Sequence, residues 1–203
     1  MRKYTRVLSG ALVAAALGAL FLAPARGRDD DDKEQAMKTA AAKDAVLKLV
    51  GDLGKEDEFK KEAADVAAKH DIEFVMKQFR PRDKGGLGVG AAPGATQYDG
   101  IETELLFLGK KVLPQKDLAA QQADLQKMAE VGLAVAEVAP HYAPKKDEAG
   151  MPIKDWLKFS DDMKKQSKDL IDAIKGGNPK TVQDKANILN GSCDSCHTEF
   201  RDK

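Results

Sequence analysis

The stretch from Asn178 to Phe200 constrains the fold more than any other part of the chain. Asn178 and Pro179 are helix-start residues, one as a side-chain cap and the other as a first helical residue with no N–H to satisfy. Behind them the inward positions are Val182, Ala186, Leu189, Cys193, Cys196 and Phe200. They step by 4, 3, 4, 3 and 4 residues, the spacing of a helix stripe buried against other helices. A helix striped in this way needs helical partners, and the rest of the sequence offers them.

Nearly everything after Lys33 is rich in alanine, leucine, lysine, glutamate and glutamine, with few aromatics and no alternating strand pattern. A first helix is expected over 34–50, stopped by Gly51 and Gly54. A second is expected over 55–79, stopped by Pro81, with Phe59, Ala63, Val66, His70 and Phe74 on one stripe. A shorter piece follows at 101–111. Two long helices come after it, 114–139 with Leu118, Leu125, Met128 and Val135 on one side, and 152–174 with Ile153, Trp156, Phe159, Met163, Leu170 and Ile174 inward. Gly176 and Gly177 end the latter. The expected class is all-α and four-helix-bundle-like, with additional N-terminal helix and loop segments.

Residues 1–25 read as a secretory leader. Arg2, Lys3 and Arg6 are basic, 7–22 is apolar and alanine-rich, and Ala23-Pro24-Ala25 supplies small residues at a cut site. The apolar run is short for a membrane span of about 20 residues, although an uncleaved anchor is the alternative. Cleavage near Ala25 implies export to the periplasm. It leaves a charged linker at 26–33, containing the Asp29–Lys33 run, and one helical domain at 34–203. The chain carries 33 basic and 33 acidic side chains. That balance argues against nucleic acid as a partner, because phosphate neutralisation needs a basic excess.

The two cysteines stand in Cys193-Asp194-Ser195-Cys196-His197. Residues three apart share a helix face, so both thiols can reach the vinyl groups on one porphyrin edge. His197 follows directly and can ligate iron as a proximal histidine. One covalently attached haem c is therefore expected, tethered at Cys193 and Cys196 with His197 as metal ligand. A thioredoxin-like pair would want a strand–helix context. Structural zinc would want four ligands, and a Cys193–Cys196 disulfide would strain a continuous helix.

The sixth iron position is open among Met76, Met37, His70 and no ligand. Met76 is favoured for its place at the apolar end of the second helix, while His141 reads as surface. Arg201, one turn after His197, is placed near the haem edge or a propionate, or in solvent at a helix end. The run Gly85-Gly86-Leu87-Gly88-Val89-Gly90 has glycines like a phosphate loop but neither the preceding strand nor an immediately following helix. It reads as a bend between helices.

The tail Cys193 to Arg201 resembles the end of class II cytochromes c, the cytochrome c-prime family and its Met-ligated relatives. In that family the attachment motif closes a four-helix bundle and is followed by an aromatic and an arginine, matched here by Phe200 and Arg201. The segment with Trp156, Phe159 and Leu170 is similar to the family's third helix, so the likeness covers 152–201. It implies thioethers at Cys193 and Cys196 and ligation by His197. The family's distal residue comes from its first helix. The N-terminal half is longer here, so that position does not carry over. Two functions follow as expectations: a one-electron carrier that meets redox proteins at a partly exposed haem edge, and a five-coordinate haem protein that binds NO or CO. Peroxide turnover would want a polar distal group, which the residues do not identify, so a non-enzymatic role is expected. A homodimer remains open.

Overall fold

The computed structural model describes residues 27–147 and 152–201, so the leader expected at 1–25 lies outside the described residues. Among them the chain is all-α, with seven α-helices, three 3₁₀ turns and no strand. The helices are α1 (Gly27–Gly51), α2 (Glu56–Lys69), α3 (Ile72–Met76), α4 (Ile101–Lys110), α5 (Gln115–Val138), α6 (Ile153–Gly176) and α7 (Pro179–Phe200).

The start of α7 is built as the sequence implies. The Asn178 carboxamide oxygen accepts the Thr181 N–H at 3.0 Å, and Pro179 occupies the first turn. Just before it, Gly177 sits at φ 67 and donates its N–H to the carbonyls of Ala173 and Ile174, closing α6. So short a connection makes α6 and α7 antiparallel neighbours, and the Lys185 ammonium reaches the Asp169 carboxylate across them at 2.8 Å. On its other flank α7 packs against α4. A Cβ on Gly109 would come within 2.9 Å of the Asn187 Cα, so glycine lets the two backbones touch. α5 lies along the far side of α6, with Gly132 against Ser167 and Gln122 donating to the Ile174 carbonyl at 2.8 Å. α5 also packs on α1 and α2. Leu108, Leu118, Leu125, Leu170, Ile174, Val182 and Leu189 fill the space between these helices. Each such side chain contributes about 1.5–3 kcal/mol by leaving water.

The N-terminal segment departs from expectation in two places. The segment expected as a linker is helical from Gly27 on, as the start of α1. The continuous helix expected over 55–79 is instead α2, α3 and a 3₁₀ turn at Lys77–Phe79. The chain breaks at His70, whose backbone is extended at φ −129, ψ 137. The Tyr142 hydroxyl donates to the His70 carbonyl at 2.5 Å, replacing the helical bond lost there.

The glycine-rich loop is a packed structure rather than a simple bend. Leu87 and Val89 are buried in the common core. The Arg82 guanidinium pairs with the Asp99 carboxylate and donates to the Gly90 carbonyl, and the Arg82 N–H also bonds Asp99 at 2.8 Å. Gly86 is required by closeness, since a Cβ there would collide with the Arg80 carbonyl. One at Gly88, already at φ 73, would strike the Arg82 side chain.

Candidate haem-attachment site

Along α7 the buried stripe runs cleanly through Val182, Ala186 and Leu189 and then opens. Cys193 is packed against the core but partly exposed, and Cys196, His197 and Phe200 are half-buried. The sequence reading put both cysteines on a closed seam. In fact the last two turns are a transition between core and solvent, with Ser192 taking a fully inward place. This end is backed by rings: Phe200 meets Trp156 edge-on at 5.0 Å and Phe159 at 5.8 Å. The Trp156 indole N–H is held by the Ala139 carbonyl at 2.8 Å, which fixes the aromatic group against the end of α5.

Both thiols are free. Burial, helped by the adjacent Asp194 carboxylate, pushes the Cys193 thiol up to about 12, and burial also raises Cys196. Near neutral pH both are protonated and weakly nucleophilic. Arg201, which the sequence placed near a haem edge or in solvent, brings Nη1 to 2.9 Å from the Nδ1 of His197.

Cys193 lines a small apolar cavity together with Phe79, Leu105, Met128, Gly132 and Met163. Its volume is about 10 Å³, on a scale where about 10–15 Å³ admits one water. The donor set fits a c-type haem: two free thiols on one helix face, an imidazole next to the second, and an apolar interior beside the first. The space is small, so a porphyrin could enter only if these side chains part.

The three distal candidates read from the sequence do not line this cavity. Met37 is 71% exposed on α1. Met76 packs partly buried against the core at the end of α3. His70 is half-buried at the break after α2, and His141 is exposed as expected. The methionines brought to Cys193 are Met128 of α5 and Met163 of α6. Both were legible as inward residues. Which inward stripe faces the cysteines depends on helix pairing, and a single sequence does not carry that. No group of three or more His, Cys, Asp or Glu side chains suited to a metal ion occurs among the described residues. Among the described residues no helix is long and apolar enough to cross a membrane. Comparison with family models, curated proteins and solved structures finds no match.

Proposed function

We propose that this chain is an exported, periplasmic c-type cytochrome of the class II kind, a four-helix-bundle protein built on α4 to α7, which carries electrons one at a time between redox proteins. The observation that carries the reading is the set of two free thiols at i and i+3 on α7, the first bordering an apolar interior and the second followed at once by His197.

Each thiol would add across one vinyl group of the porphyrin, its sulfur bonding one carbon and its hydrogen going to the other, so no oxidant is consumed. His197 would hold the iron on one side. When bound, the haem supplies a metal that gains and loses a single electron. The chain's own part is to exclude water with the Leu105, Leu170 and Leu189 side chains, to brace α7 through the Trp156–Phe159–Phe200 rings, and to leave the Cys196 edge accessible to a partner. The half-buried character of Cys196 and His197 supports such an edge.

The second reading is a five-coordinate haem that binds NO or CO. The apolar lining beside Cys193, without an ionisable side chain, favours it, since a neutral gas needs no charged partner.

Production with a haem-attachment system tests the proposal. The expected product keeps its colour after denaturation and extraction, and its ferrous spectrum is low-spin and indifferent to CO. Haem that washes out sinks the cytochrome reading. A high-spin ferrous spectrum that shifts with CO transfers the assignment to gas binding.

A further inference from the structure

We infer that the outer face of α4 is a self-docking surface, on which a second copy of this chain lays its own α4 antiparallel about Leu106. No haem-attachment residue takes part, so this contact stands apart from the function proposed above. Ile101, Leu105 and Leu108 supply the inward stripe of α4, and the helix rests on α7. That stripe accounts for the place of α4 in the fold, yet apolar side chains continue round to the solvent side. Leu106 is 39% exposed and Phe107 half-buried, while Tyr98 before the helix and Val112 after it are 45% and 49% exposed. Tyr98 meets Phe107 edge-on at 5.6 Å, which sets an aromatic pair next to Leu106. A helix that is apolar beyond the stripe its own fold buries presents a surface for a partner.

The charges identify that partner. Glu102, Leu106 and Lys110 stand at i, i+4 and i+8, one exposed stripe with an acid a turn before the leucine and a base a turn after it. A two-fold axis through Leu106 reverses the helix, so it sets leucine against leucine and Glu102 of each copy against Lys110 of the other. Lys111, over the Phe107 ring at 5.7 Å, adds positive charge at the same end. The two helix dipoles also oppose, each positive end beside a negative one. Arg80 stands 3.7 Å from Glu102 with both side chains 55% exposed, so the carboxylate keeps room for a second cation. An apolar, partly aromatic centre with charge at its rim is the make-up of a protein interface. One short helix per copy buries little area, so the dimer is weak and loosened by salt.

The test is sedimentation velocity of the full chain over a concentration series, with thiols kept reduced. Wild type is compared with Leu106→Glu, Glu102→Lys and Lys110→Glu, each checked for helix content by circular dichroism. The expected wild type is a concentration-dependent dimer whose Kd rises with salt. Leu106→Glu and each charge reversal should raise the Kd by about tenfold or more, since like charges then face one another. An equal mixture of Glu102→Lys and Lys110→Glu should dimerise again, because the two chains together present opposite charges at both contacts. A merely structural role for these side chains would give no recovery on mixing. A wild type that stays monomeric at submillimolar concentration overturns the proposal and leaves the face to a different protein. A dimer indifferent to Leu106→Glu, or a mixture without recovery, overturns it by placing the contact elsewhere.

Discussion

Arg201, which caps α7, lies one turn beyond His197, with Nη1 of the guanidinium 2.9 Å from Nδ1 of the imidazole. A guanidinium only donates, so Nδ1 accepts and Nε2 carries the proton of a neutral ring. Ligation through Nε2 needs the opposite tautomer. On the proposed reading, haem attachment would turn Arg201 off Nδ1 and leave its charge within a turn of the iron, where it would favour the reduced state. Arg201→Ala should keep the haem and lower the midpoint potential by about 20–60 mV, up to a tenfold shift in the one-electron equilibrium. Potentiometric titration at low and high salt checks this. An unchanged potential at low salt would show that the guanidinium points elsewhere.

The raised thiols make a kinetic prediction for the haem-free chain. Moving Cys193 from 9.0 to about 12 leaves about a thousandfold less thiolate at pH 8. Alkylation of Cys193 in the native protein should be slower than in denaturant by about that factor, and Cys196 should react faster than Cys193. Peptide mapping after timed iodoacetamide treatment resolves the two. Equal native rates would place Cys193 outside the core.

Glu104 is a carboxylate with 0% exposure, on the α4 stripe that also carries Ile101 and Leu105. It accepts the Tyr98 N–H at 2.7 Å, but burial outweighs that bond and the Thr96 hydroxyl and raises its pKa above 4.5. The folded state thus holds this proton to higher pH than the unfolded state. Stability falls as pH rises from 4.5 through the folded value, then levels off. Glu104→Gln keeps an acceptor for Tyr98 and cannot ionise. Urea midpoints of wild type minus variant should decline across that window, and a difference that is flat with pH would contradict the assignment.

Asn178 is the cap that starts the site-bearing helix. Asn178→Ala removes the acceptor of the Thr181 N–H and should cost about 1 kcal/mol, read as a lower midpoint in urea. The haem spectrum should not change, because the cap lies at the opposite end of α7 from His197. A spectral change would mean that the helix slides as a unit.

The parts of this molecule that were legible in the sequence are those whose physics is local. The bounds of α5 and α6 follow from Pro114, Pro152 and the glycine pair after Lys175, and each observed end falls within two residues of the expected one. The α7 stripe is correct through Leu189, where α4 and α6 cover it. It opens at Cys196, past the first residue of α4, although Trp156 and Phe159 of α6 still meet Phe200 one turn further on, and nothing in α7 itself records this. The break at His70 was hidden for a related reason. No glycine or proline marks it, and its carbonyl is satisfied by Tyr142, a partner 72 positions away in sequence. Which residue would face the cysteines is not legible for the same reason, since facing across a core is a property of helix pairing.

The glycine loop has a consequence for how this chain can drift over generations. Even alanine, the smallest replacement one base change offers, puts a methyl group into the Arg80 carbonyl at Gly86. The Arg82 side chain blocks Gly88 in the same way. Descendants of this sequence should therefore hold these glycines for steric reasons that have nothing to do with iron. A survey of which positions stay constant would rank the loop beside the cysteine pair, and invariance alone would not separate the residues that do chemistry from those that only leave room.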